Sequence, residues 1–161
     1  MTRMLVQVGG RLGLPVAGIC GLAALGVPRV VAHDLDLVGP VVNSMLVFAP
    51  IAVWLAVVLW KRVPNPFLAL VAIGVVYGIL LAATHQVLWI QSFDGAPPGL
   101  GGNLGSALPP GGEAMVVRIF AFVSSLLTGV GVGAATGAVG WLLAKVVPGP
   151  GTRQRGRPRD E

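Results

Sequence analysis

The chain has 161 residues, of which 55% are hydrophobic and 11% are charged, with a net charge of +5 and a mean hydropathy of +0.84. About 25% of the residues in an ordinary soluble domain are charged, so this composition excludes a disordered chain and argues against a soluble enzyme. The single cysteine, Cys20, excludes an intrachain disulfide and a cysteine-based metal cluster. Together these values predict an integral membrane protein.

Four long stretches of the chain lack Asp, Glu, Lys and Arg. They cover residues 12–28, 37–60, 63–93 and 119–144. A helix needs about 20 apolar residues to cross the hydrocarbon layer, and runs of this length lack the alternation of a barrel strand. The pattern predicts an all-α integral membrane protein with one domain over 1–147, a four-helix transmembrane bundle. The predicted helices lie at about 5–32, 40–60, 66–91 and 114–146.

The first predicted helix has an alternative interpretation. Arg3 and Arg11, followed by an apolar run that ends near Ala32, resemble a secretory signal cleaved after a small residue. The basic region is long for a signal, and Pro28 and Arg29 interrupt the expected cleavage region. We therefore expect the first helix to be retained, while cleavage stays open as the alternative.

The basic residues are sorted between the two sides of the predicted bundle. Only Arg29 and Arg118 fall on the side opposite the termini. The nine on the side of the termini are Arg3, Arg11, Lys61, Arg62, Lys145, Arg153, Arg155, Arg157 and Arg159. The positive-inside rule then predicts cytoplasmic termini. We expect the protein to lie in the plasma membrane. The rich use of Ala, Gly, Val and Arg indicates a bacterial source.

Two segments are expected to lack regular structure. The outer loop at 92–113 is rich in glycine and proline, which disfavour both helix and strand, so it is predicted to be a flexible tether or a lid. The tail at 148–161 begins with Pro and Gly and continues with alternating arginines. We expect a disordered cytoplasmic tail that contacts anionic lipid rather than nucleic acid.

Small residues recur at four-residue spacing on three predicted helices, which permits a close approach of helix backbones. The ridges are Gly9, Gly13, Ala17 and Gly21 on the first helix, Gly74, Gly78 and Ala82 on the third, and Ser125, Gly129, Gly133 and Gly137 on the fourth. They predict tight packing between helices. Contacts within one chain and contacts between copies are both compatible with this pattern.

Polar side chains gather in the outer halves of the predicted helices. The candidate residues of an outward vestibule are Asn43, Ser44, His85, Gln86, Arg118 and Ser125. Helical periodicity puts His85 on the face of Gly78 and Arg118 on the face of Ser125, so both are predicted to point into the bundle. Inward-facing ionisable residues suggest a functional site by default. The alternative is structural: each side chain ties one helix to a neighbour, or Arg118 pairs with a nearby acidic residue.

The first outer loop contains three weak candidate metal ligands, His33, Asp34 and Asp36, which His85 could complement. Their spacing is not specific for a metal, so we predict neither a metal nor a cofactor. The simpler interpretation is a polar turn in which Asp34 or Asp36 caps the next helix. The bundle contains no sequence pattern of a catalytic triad, a Cys–His pair or a phosphate-binding glycine loop, so no enzymatic activity is predicted.

Two function hypotheses follow from these patterns. The first is an accessory or structural subunit that packs against copies of itself or against a larger membrane protein. The second is a small transporter or channel with a vestibule around His85 and Arg118, in which the positive Arg118 would favour an anion.

Overall fold

The computed structural model describes residues 12–93, 95–105 and 107–146. Within these ranges the protein is all-helical and contains no strand. The helices are α1 (Val16–Ala24), α2 (Val27–Asp34), α3 (Pro40–Trp60), α4 (Pro66–Val87) and α5 (Pro110–Val146). Short 3-10 turns at Gln91–Phe93 and Gly102–Leu104 lie in the connection between α4 and α5.

Four helical segments of the described chain are long and apolar enough to cross a membrane. They are α1 and α2 taken together as Val16–Asp34, and then α3, α4 and α5. The prediction of an all-helical chain with four apolar helices of spanning length is therefore confirmed. The described residues do not include 5–11 of the first predicted helix, which contain Gly9, or the basic tail at 148–161.

The first predicted helix, 5–32, is divided into α1 and α2. Pro28 explains the break, because in a continuous helix its ring would clash with the carbonyl of Ala24 and it has no N–H to donate to that carbonyl. Pro28 instead occupies the first turn of α2, where a missing N–H costs little. Gly26 lies at the break against the ring of Tyr77, and a Cβ at this position would overlap that ring. The break therefore lets the chain approach α4 closely.

Prolines also begin the later helices. Pro40 and Pro66 each occupy the first position of their helix, and α4 has an additional N-cap in which Asn65 Oδ1 accepts a hydrogen bond of 3.1 Å from Leu68 N. The N-cap of α3 is Gly39, with no side-chain hydrogen bond. The expectation that Asp34 or Asp36 caps this helix is therefore wrong.

The connection between α4 and α5 covers residues 88–109, so it lies four residues earlier in the chain than the predicted 92–113. Helix α4 ends at Val87, whereas the sequence interpretation extended it to 91, and α5 begins at Pro110, whereas the interpretation began it at 114. The earlier start of α5 follows from Pro110, which is favoured in a first helical turn, together with the acidic Glu113 in that turn.

Helix α4 is the centre of the bundle, because it contacts each of the other four helices. Its buried side chains include Leu70, Ile73 and Leu81, which form the core with residues of α1, α2 and α3. Trp54 attaches α3 to this core. It is 1% exposed, its Nε1 donates a 2.7 Å hydrogen bond to the carbonyl oxygen of Leu22 in α1, and its ring meets Tyr77 edge to face.

Candidate functional site

The closest contact between helices joins α4 and α5. A Cβ added at Gly74 would lie 2.5 Å from Gly133 Cα, and a Cβ added at Gly129 would overlap the backbone of Gly78. Real Cβ atoms do not approach backbone this closely, so only glycine fits at these positions. Four predicted packing residues, Gly74, Gly78, Gly129 and Gly133, therefore meet within one chain. The fifth, Gly137, lies against the backbone in the first turn of α4.

A buried carboxylate joins α2 to α4 at one end of the bundle. Asp34 is the last residue of α2, and its Oδ2 accepts a hydrogen bond of 2.7 Å from His85 Nδ1. His33 Nδ1 lies 3.5 Å from the other carboxylate oxygen. The Asp34 side chain is 4% exposed, so these imidazoles replace the water that a carboxylate otherwise requires.

A second polar contact joins α4 to α5. Gln86 Nε2 donates a 3.1 Å hydrogen bond to the carbonyl oxygen of Arg118, and Arg118 Nη1 lies 3.4 Å from Gln86 Oε1. The guanidinium carbon of Arg118 lies 5.1 Å from the centre of the Trp89 ring, which is within the range of a cation–π contact. Glu113 accepts a hydrogen bond from Leu100 N. Among the described residues, Arg118 makes no ion pair with an acid.

Two cavities flank the Asp34–His85 pair. The larger, of about 930 Å³, lies between the end of α2, the start of α3 and the chain that follows α4. Its polar lining residues are His33, Asp34, Asp36, Asn43, Gln91 and Ser92. The smaller, of about 420 Å³, lies between α2, α4 and α5. His33 and Asp34 line both cavities, so the pair lies in the wall between them.

The predicted vestibule residues are divided among different surroundings. Asn43 lines the larger cavity, and its Oδ1 is buried without a hydrogen-bond partner in the described chain. His85 and Ser125 line the smaller cavity. Gln86 and Arg118 bond to each other and line neither cavity. Ser44 is exposed, and its hydroxyl donates a 2.9 Å hydrogen bond to the carbonyl oxygen of Pro40.

The weak metal candidates are not assembled into a metal site in the part of the chain that the structure describes. No group of three or more His, Cys, Asp or Glu side chains there could hold an ion. His33 and Asp34 adjoin His85, whereas Asp36 is exposed in a turn with a positive φ of 49°.

Sequence reasoning missed two features of this region. Asp34 was treated as a residue of the first outer loop, and its approach to His85 was considered only for a weak metal site. Arg29 was used only to assign the orientation and to argue against signal cleavage. Its position inside the first predicted helix, 5–32, was the signal that it required a partner of its own.

Comparisons with known proteins identify no relative. No protein-family model matches the chain, and neither the curated proteins nor the solved structures include a significant match. Function is therefore inferred from the geometry and chemistry of the chain's own residues.

Proposed function

We propose that the protein is an integral membrane protein that crosses the bilayer four times, with both termini in the cytoplasm. The length and apolar composition of its four helical segments support this location. Many exposed side chains of α3 are large and apolar, as a lipid-facing surface requires; they include Val41, Met45, Phe48 and Trp60. The orientation is supported by the distribution of basic residues in the sequence.

Within the membrane, we propose that the protein acts by helix packing, as an accessory or structural subunit that binds copies of itself or a larger membrane protein. The observation that carries this proposal is that other small residues, which take no part in the glycine contact between α4 and α5, remain exposed. They form one strip on α1, Ala17, Gly21 and Ala24, and one strip on α5, Gly131, Ala135 and Ala138.

The residues of each strip lie on one face of their helix, and this face is open to an approaching helix. Residues separated by four and then three positions lie on the same side of a helix. No neighbouring side chain lies within 4 Å of a Cβ added at Gly21 or Gly131. Faces of this kind permit close contact between helices in lipid, where apolar burial alone gives no driving force.

Cys20 allows a direct test, because it is exposed beside Gly21 and is the only cysteine in the chain. If α1 pairs with α1 of a second copy, mild oxidation in native membranes should link the two copies through Cys20. A disulfide requires Cα atoms within about 7 Å, so Gly21→Leu should prevent the link. Ala52→Leu, on the exposed face of α3, is the matched control and should leave it unchanged.

The second strip is tested by purification in mild detergent. A larger partner should co-purify with the protein, and Ala135→Leu should release it. A monomer that shows neither a Cys20 cross-link nor a co-purifying protein would contradict the packing proposal.

A transporter or channel is the alternative, and the two cavities beside the Asp34–His85 pair favour it. In the opposite half of the bundle, the described residues Ala69, Leu70 and Ile73 are fully buried. Transport past them would require a second conformation. In reconstituted vesicles, a flux of protons, metal ions or small anions that falls with His85→Ala would support this alternative. Absence of all three fluxes for the unmodified protein would exclude these substrates.

A further inference from the structure

Arg29 lies in the first turn of α2 and lines a third cavity of about 200 Å³ between α2, α3, α4 and α5. It is five residues before the end of α2, about 7.5 Å along the helix at 1.5 Å per residue. Its Nε is buried and has no hydrogen-bond partner among the described residues. The side chain therefore presents an unsatisfied donor and a positive charge to this cavity.

No acid of the described chain neutralises Arg29. The carboxylate nearest in sequence, Asp34, is bonded to His85 and lies close to His33. No described carboxylate lines the cavity, and its other polar side chains are the hydroxyl-bearing Tyr77 and Thr128. An unpaired charge among apolar helices is costly, so an anion that entered this cavity would be stabilised by Arg29.

The rest of the cavity wall is apolar. It is formed mainly by Leu46, Val47, Pro50, Ile51, Trp54 and Val132. A water molecule occupies about 30 Å³ in the liquid, so the cavity has room for a small head group and the first few carbons of a chain. Thr128 is exposed, so the cavity reaches the surface between α3 and α5, where a longer chain could continue outside the bundle.

We propose that this cavity binds an amphiphilic anion, with a carboxylate or phosphate head group on Arg29 and an acyl chain along α3. A guanidinium donates two parallel hydrogen bonds to either head group, and the hydroxyls of Tyr77 and Thr128 supply further donors. The site rests on the proposed membrane location but does not depend on helix packing between copies. The cavity has a single cation at one end and an apolar wall elsewhere. This arrangement fits a ligand that has a charged head group and an apolar chain.

Trp54 lines the cavity and provides the readout. The protein is reconstituted in phosphatidylcholine vesicles and titrated with 9,10-dibromostearate, whose bromine atoms quench tryptophan fluorescence. The other three tryptophans, Trp60, Trp89 and Trp141, are replaced by Phe so that only Trp54 reports on the cavity and the exposed Trp60 and Trp141 give no quenching from bulk lipid. We expect saturable quenching that unlabelled stearate reverses.

Arg29 variants test the head-group contact. Arg29→Gln should raise the half-saturating concentration at least tenfold, and Arg29→Lys should give an intermediate value because an ammonium cannot form the paired hydrogen bonds. Lys61→Gln, at the exposed end of α3, is the matched control and should have no effect. Equal quenching of the unmodified protein and Arg29→Gln would overturn the proposal.

A cavity-filling variant tests the location independently of charge. Val47→Phe leaves Arg29 in place but occupies the volume beside it, so saturable quenching should be lost while the circular dichroism spectrum stays helical. Quenching that persists in this variant would overturn the assignment to this cavity. If the unmodified protein binds no probe but retains the proposed membrane topology, only the ligand site fails and the membrane location stands.

A second titration, with brominated phosphatidylglycerol, distinguishes the two sources of the head group. Quenching by dibromostearate alone assigns the site to a free carboxylate, and quenching by the phospholipid alone assigns it to a lipid phosphate. Both results support the proposal if Arg29→Gln weakens them. Quenching equal to that of brominated phosphatidylcholine in both titrations would show no preference for an anion and would overturn it.

Discussion

His85 Nδ1 and Asp34 Oδ2 lie 2.7 Å apart, although 51 residues separate them in the chain. The contact ties the last residue of the eight-residue helix α2 to the central helix α4. Because α1 and α2 are separated by a break, α2 cannot derive its position from a continuous helix. The hydrogen bond therefore fixes the end of α2 and forms part of the wall between two cavities.

Loss of this bond should weaken the bundle. We expect His85→Ala to lower the free energy of unfolding by roughly 1–2 kcal/mol, because the buried carboxylate of Asp34 loses its nearest donor. Unfolding in detergent micelles, followed by circular dichroism, measures the change. His33→Ala is the control: its side chain is 58% exposed and its ring is 3.5 Å from the carboxylate, so the loss should be smaller. Equal losses in the two variants would contradict the assigned role of His85.

The contact between α4 and α5 should tolerate no side chain at its closest point. Gly129→Ala places a methyl group against the backbone of Gly78, and overpacking of this kind typically costs about 1–3 kcal/mol. Gly131→Ala is the matched control on the same helix, where the space is open, and alanine should increase stability by up to about 1 kcal/mol. Thermal unfolding of both variants in one detergent tests the pair. Similar effects at the two positions would argue against the observed register of α5.

The Gln86–Arg118 contact should behave as a structural link between α4 and α5. Gln86→Met keeps most of the side-chain volume but removes the hydrogen bonds to the Arg118 carbonyl and guanidinium, so we expect a loss of about 1 kcal/mol. Gln91→Met provides a control at an exposed position. The measurement is again unfolding in micelles. A Gln86→Met protein as stable as the control variant would show that the contact contributes nothing.

The proposed orientation predicts which positions an external reagent can reach. In a Cys20→Ala background, Gly101→Cys lies in the connection between α4 and α5 and should react with a membrane-impermeant maleimide on intact cells. Arg62→Cys, in the turn between α3 and α4, should react only after the cells are opened. The reverse labelling pattern would invert the topology.

Most of the helical architecture could be predicted from the sequence, because apolar runs and prolines act locally. Pro40 and Pro66 stand where α3 and α4 begin, and the charge-free stretches contain most of each helix. The same local signal at Pro28 was not used to predict the break between α1 and α2. A proline ring clashes with the preceding turn of a helix, so the presence of Pro28 in the sequence was sufficient to predict the break.

The arrangement of the candidate site could be predicted only in part. Periodicity placed His85 and Arg118 on packing faces, but it cannot choose among neighbouring helices. The partners of these residues, Asp34 and Gln86, were fixed by how α2 and α5 pack on α4. Arg118 therefore belongs to a contact between helices and lines neither of the two cavities at this end.

The bond between Glu113 and Leu100 has a mechanical consequence for the smaller cavity. Glu113 belongs to the first turn of α5, and Leu100 lies two residues after Pro98, which lines that cavity beside His85. A displacement of the first turn of α5 would therefore also move, through this hydrogen bond, the segment that lines the cavity. The glycine- and proline-rich connection is consequently held to α5 at Leu100. This contact divides it into two short loops, each of which has less conformational freedom than one long loop.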